Sequence, residues 1–173
     1  MERKYYTAGE GKPPIFIQAI IDNEKMSDVE FFHFTNLLDW SKQGDDMAVL
    51  EPLIAYLAQW GDEVIFAFHD KMAELLYSLD TRAIADGVYK GSDSFSGDEF
   101  LYIRCIALVN GKPFYNAIFK GRKKLKNDLE FEAILYVPML AWERCHGKDM
   151  NEYPHFTKVS YETGSNVEGW KEE

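Results

Sequence analysis

The chain has 173 residues, 46% of them apolar and 15% aromatic, which is ample for one hydrophobic core in one domain and excludes whole-chain disorder. Its 19 basic and 29 acidic residues leave a net charge of −10, which excludes general nucleic-acid binding because phosphate neutralisation needs a basic face. Cys105 and Cys145 lie in apolar helical patterns, so a reducing, cytoplasmic compartment is expected rather than a disulfide framework, and no apolar run is long enough for a signal core or a membrane span.

Residues 1–14, with Gly9, Gly11, Pro13 and Pro14, read as an irregular arm. The β-branched run that follows predicts an extended segment or short strand over 15–26. A helical body is expected over 27–146. It opens on the capping box Ser27-Asp28-Val29-Glu30, in which serine and glutamate each satisfy the other's backbone N–H. Phe31, Phe34, Leu38 and Trp40 are its apolar positions before the break at Gly44-Asp45-Asp46.

Leu50, Leu53, Ile54 and Leu57 mark a second helix ending near Trp60. Its regular part is expected to begin at Pro52, where a missing N–H costs least. After a cap at Gly61-Asp62, Val64, Phe68, Met72, Leu75 and Leu79 form the inner stripe of a third helix. Glu63, Asp70, Lys71 and Glu74 are expected to face water. A short helix is expected over 81–86, and Ser96-Gly97-Asp98-Glu99 caps the next, which ends at Asn110-Gly111. Pro113 suits the first turn of a brief helix stopped by Gly121.

Residues 128–145 are almost continuously apolar, so one helix, capped at Asp128 and kinked at Pro138, is expected at the centre. The expected fold class is mostly α, one compact domain of about six to seven helices. Residues 147–173 form a polar segment expected to pack on it through Tyr161 and Trp170.

These segments resemble a bacterial family catalogued as domain of unknown function 4240. The likeness is carried by Leu79-Asp80-Thr81-Arg82, by Asp98-Glu99-Phe100-Leu101-Tyr102-Ile103-Arg104, and by Asn110-Gly111-Lys112-Pro113-Phe114-Tyr115. It continues through Phe131-Glu132 to Tyr136, Ser160-Tyr161-Glu162-Thr163-Gly164-Ser165-Asn166 and Gly169-Trp170, so that it spans residues 30 to 170. Where the family runs Arg-x-Trp-Leu-Ile, Arg104 is followed here by Cys105-Ile106-Ala107. The resemblance implies a helical fold and no assigned reaction.

Several chemistries are excluded by spacing. His33, His69, His146 and Cys145 offer no Cys-x-x-Cys or His-x-x-x-His pair, so neither a metal nor another cofactor is expected. His69-Asp70 reads as a helix-surface pair. No Gly-x-Ser-x-Gly turn occurs, and neither cysteine lies at a helix N-terminus. The loop Gly91-Ser92-Asp93-Ser94-Phe95-Ser96-Gly97 has anion-binding geometry, but it lacks lysine, and Asp93, Asp98 and Glu99 repel phosphate.

Two features remain. Asp80, Arg82, Asp98, Arg104 and Glu132, with Tyr102, Tyr115 and Tyr136 near them, form either a buried network that locks helices together or a pocket for a small polar ligand. Arg104 is expected to pair across elements, with Glu132 or Asp80. Residues 112–126 hold Lys112, Lys120, Arg122, Lys123, Lys124 and Lys126 and no acid. That run is either a solvated helix end and loop or a docking patch for an acidic partner. The leading expectation is a non-enzymatic interaction, regulatory or accessory protein whose acidic surface meets a basic protein, in immunity-like fashion, without nucleic acid or membrane. The alternative is an enzyme or polar-ligand binder using the Asp/Arg/Glu set.

Overall fold

The computed structural model describes residues 12–90 and 94–171. Most of the expected N-terminal arm, Gly91-Ser92-Asp93 of the excluded anion loop, and Glu172 and Glu173 lie outside these residues. The described residues form eight α-helices: α1 (Ile15–Asn23), α2 (Asp28–Thr35), α3 (Asp46–Leu57), α4 (Asp62–Ser78), α5 (Arg82–Tyr89), α6 (Gly97–Val109), α7 (Gly111–Phe119) and α8 (Val137–His146). No strand occurs among them, and no helix is long and apolar enough to cross a membrane.

Local chemistry explains most of the boundaries. Ser27 Oγ accepts from the Glu30 N–H while Glu30 accepts from the Ser27 N–H at 2.6 Å, completing the capping box of α2. Thr81 caps α5, which runs to Tyr89, and Ser96 caps α6. Gly121, at φ +66°, closes α7 with the Gly121 N–H on Ile118 O and the Arg122 N–H on Ala117 O, the two bonds of a Schellman ending.

Four expectations are corrected, the last of them on the central helix. Residues 15–23 are helical, not extended. Ile17 and Ile20, one turn apart, both enter the core, and Phe16 packs against His33 and Phe34. That burial overrides the modest helix propensity of β-branched residues. The second helix does not wait for Pro52 either. Asp45 accepts from the Ala48 N–H and starts α3 at Asp46, with Pro52 held inside the helix on its exposed side.

The expected central helix over 128–145 is divided. Asp128 caps nothing, Glu132–Tyr136 form a 3-10 turn, and α8 begins afresh at Val137. Pro138 has no N–H for the Ile134 carbonyl, so the chain places it in a first turn, where no such bond is required.

The central helix is α4. It packs against α1, α2, α6 and α8, and its buried set runs around the whole cylinder. Phe68 stacks on Phe31 at 4.8 Å and meets Phe34 edge-on at 6.0 Å. His69, Asp70 and Lys71, expected to face water, are buried with it, because α2 and the C-terminal segment lie over that side. On the far side α8 packs against α3 and brings Trp142 into the core at 4% exposure. Trp142→Ala is expected to cost roughly 3–5 kcal/mol in denaturant melts, as truncation of a buried aromatic does. A loss below about 1 kcal/mol would place the indole at the surface.

Candidate functional site

Asp80 and Arg104 are both fully buried, at 0% exposure. The structure brings these two members of the polar set together just beyond the end of α4. Arg104 Nη2 lies 4.0 Å from Asp80 Oδ1, so each group depends mainly on other partners. Arg104 donates to Leu76 O at 2.8 Å, and to Tyr161 O and Thr163 Oγ1 at 3.0 Å, with its guanidinium over the Phe100 ring. Asp80 accepts from the backbone N–H of Gly164 and of Asn166 and from Trp170 Nε1 at 2.8 Å.

Five of these six bonds reach the C-terminal segment, which this cluster straps to the body. Gly164 turns through a left-handed φ of +88° between Thr163 and Ser165. Gly169 passes so close to α5 that a Cβ there would lie 2.9 Å from Asp80 O and 2.8 Å from Thr81 Cγ2. Only glycine fits that approach. Of the locking and ligand-pocket alternatives, the hydrogen bonds of Asp80 and Arg104 serve the lock.

Asp98 and Glu132 do not bond Asp80 or Arg104, and Arg82 meets the strap at its far end. Arg82 is exposed at the start of α5, with its Nε 3.4 Å from Trp170 O. Asp98 is exposed in the first turn of α6, and Glu132 accepts from the Tyr136 hydroxyl at 2.7 Å. Asp98, Glu132 and the exposed Glu162 instead lie near enough to Tyr102 for their charges to act on its phenol. Partial burial and then these three negative charges push the Tyr102 phenol up. Three elements distant in sequence thus build one acid- and tyrosine-rich face.

A second polar cluster joins α4 to the C-terminal segment, and the helical stripe missed it. Asp70 accepts from His155 Nε2 at 2.9 Å, from the Lys158 N–H at 3.2 Å and from Lys158 Nζ at 3.0 Å. Burial alone would raise Asp70, but the bonds from His155 and Lys158 outweigh it and hold the carboxyl below its ordinary value. The His155 ring stacks on Phe66 at 4.6 Å. His69 Nδ1 lies 3.2 Å from the Tyr153 hydroxyl, while its Nε2 is buried without a hydrogen-bond partner among the described residues. Burial foremost, then the neighbouring His155, lowers His69 to about 4. The signal for this cluster was its apolar frame, Ile65 to Phe68 before and Met72-Ala73 after.

Nothing here supplies a metal centre or a thiol nucleophile. No group of three or more His, Cys, Asp or Glu able to hold a metal occurs among the described residues. Both cysteines are unbridged, and burial pushes the Cys105 thiol up to about 12.

A buried central helix closed by a polar C-terminal strap defines an all-α domain. The chain belongs to the family described as protein of unknown function (DUF4240), whose model matches residues 26–144. The matched region stops short of the strap, so the likeness read as far as residue 170 extends beyond it. No curated protein and no solved structure matches the chain.

Two measurements test these clusters. Asp80→Ala should cost roughly 3–5 kcal/mol, since it leaves three N–H donors without their acceptor and takes the 4.0 Å counter-charge from buried Arg104. It should also accelerate amide exchange across 161–170, and unchanged exchange there would dissociate the strap from Asp80. For His69 the folded pKa lies below the ordinary 6.5, so the unfolded chain binds the extra proton and stability falls as pH drops from about 6.5 to about 4. The full shift corresponds to roughly 3 kcal/mol. Urea melts at either end of that window should show His69→Gln losing much less stability on acidification than the parent.

Proposed function

We propose that this is a non-enzymatic interaction protein, regulatory or accessory to another, and that its acidic face recognises a basic protein surface in the bacterial cytoplasm. The reading is supported by exposed Asp98 and Glu162, with Glu132 bonded to the exposed Tyr136, all acting on the Tyr102 phenol. Carboxylates attract ammonium and guanidinium groups over a distance, and tyrosine rings offer faces on which those cations can settle. Tyr136, 39% exposed and hydrogen-bonded to Glu132, extends the face. The net charge of −10 favours encounter with a cationic partner and disfavours anionic ones. An immunity-like protein that masks a basic toxin is the concrete form of this reading.

A fluorescein-labelled lysine- and arginine-rich peptide serves as the probe. Binding should weaken steeply with salt and fall by about tenfold or more when Asp98→Asn, Glu132→Gln and Glu162→Gln are combined. Equal binding by parent and variant would remove this face from the function. Recovery of one basic protein from native lysate by the parent, and its loss with the variant, would identify the partner.

A second reading, a binder of a small polar ligand or an enzyme, draws support from His69 rather than from the Asp/Arg/Glu set. His69, with its unpartnered Nε2, lines a cleft of about 250 Å³ together with His155, Ser160 and Tyr161. A ligand atom that completed that hydrogen bond would stabilise the fold in proportion to its occupancy. Thermal-shift screening of small polar metabolites tests this, and the reading survives only on shifts that His69→Phe abolishes.

A further inference from the structure

The basic run over 112–126 is the strongest charge feature that the acidic-face reading leaves unused. Lys120, Arg122, Lys123, Lys124 and Lys126 are all exposed. None of the five forms an ion pair with a described residue, whereas Lys71, Arg104, Arg144, Lys158 and Lys171 each lie against a carboxylate. In a chain with ten surplus acids, five neighbouring cations without a carboxylate are a deliberate separation of charge. The dipole of α7 accounts only for those beside its C-terminus, because that effect fades within a turn.

These cations are held in place. The Arg122 and Lys123 N–H groups both donate to Ala117 O, at 2.8 and 3.0 Å, and Leu125 anchors the loop in the core at 4% exposure. The loop therefore needs little ordering on binding. It also borders an apolar cleft of about 290 Å³ between α5 and the end of α7, floored by Ile84, Ile118 and Leu125. Phe119 stands at the rim, 54% exposed, and Lys123 and Lys124 complete the lining. The Lys124 stem crosses α5 at Gly87, where an added Cβ would lie 3.8 Å from Lys124 Cδ.

We propose that this cleft and its lysine rim form a docking site for an acidic peptide segment with one bulky apolar anchor residue. The cleft is at the small end of ligand sites and suits one large side chain. Lys123 and Lys124 at the cleft, with Lys120, Arg122 and Lys126 beside them in sequence, match Asp and Glu residues flanking such an anchor. An anchored apolar group inside a charged rim is the usual division of labour at interfaces, the pocket giving affinity and the rim giving encounter and register. The site is separate from the Asp98, Glu132 and Glu162 face, and each can fail alone.

The test measures fluorescence anisotropy of a short fluorescein-labelled peptide of Asp and Glu around a central tryptophan. The full chain should bind it, and replacing that tryptophan by serine should weaken binding by about tenfold or more. Gly87→Leu, which fills the cleft at a helix position without positive φ, should cause a similar loss with circular dichroism and melting temperature maintained. Lys123→Gln combined with Lys124→Gln should do so as well, and decides the matter if Gly87→Leu does not fold. The variant lacking the acidic face should bind this peptide as well as the parent does. Equal binding of the serine peptide would overturn the proposal in favour of a general polyanion surface. Displacement of the peptide by a single-stranded oligonucleotide that binds more tightly would overturn it in favour of nucleic acid, and no binding at low salt would overturn it outright.

Discussion

The last turn of α4 ends inside the protein, and the surrounding structure is arranged to satisfy it. A helix leaves its final carbonyls without intrahelical donors, and burying them unpaired is costly. Here Leu75 O accepts from the Tyr115 hydroxyl of α7, Leu76 O from Arg104 of α6, and Tyr77 O from Asn166 Nδ2 of the strap. One buried helix end therefore fixes the relative placement of α6, α7 and the C-terminal segment. Asp80, two residues beyond that end, supplies negative charge near Arg104 and collects N–H donors from the same segment. A buried charge pair is a weak source of stability in itself, and its value here lies in orienting three elements at once.

The same logic separates structure from interaction surface. Ionisable groups that reach the interior are spent on backbone partners or on one another, as Asp70 is with His155 and Lys158. Some of the groups left on the outside gather by sign, although Arg144 pairs with Glu51 and Lys171 with Glu168. Acids and tyrosines collect around Tyr102, and lysines and an arginine collect beyond α7. Grouping like charges costs some self-repulsion within each patch, which intermixing would avoid, and the two proposed docking sites would each draw on one patch.

The sequence revealed features governed by local chemistry and concealed those governed by packing. The Ser27 capping box, the Thr81 helix start and the Gly121 stop depend on a few adjacent residues, and all were legible. The docking of Tyr161 to Trp170 was legible because two large aromatics in a polar tail need somewhere to go. Helix α1 was not, since its β-branched run becomes helical only through burial of Ile17 and Ile20. The central position of α4 was hidden by Asp70 and Lys71, whose charges suggest solvent until His155, Lys158, Asp28 and Glu74 are seen across from them. Asp80 and Arg104 were singled out by residue type, but nothing local could say that most of their hydrogen bonds would reach residues 161–170.

The strap also sets the order in which the protein can be completed during synthesis. The bonds from Gly164, Asn166 and Trp170 to Asp80 span 84 to 90 residues. A ribosome adding roughly 5–20 residues per second extends the chain for several seconds between making Asp80 and making those donors. Throughout that interval the end of α4 has Tyr115 and Arg104 at most, and the Asp80 carboxylate has no backbone N–H to accept from. The nascent domain thus emerges with its most polar seam open, and only residues made 84 to 90 positions later close it.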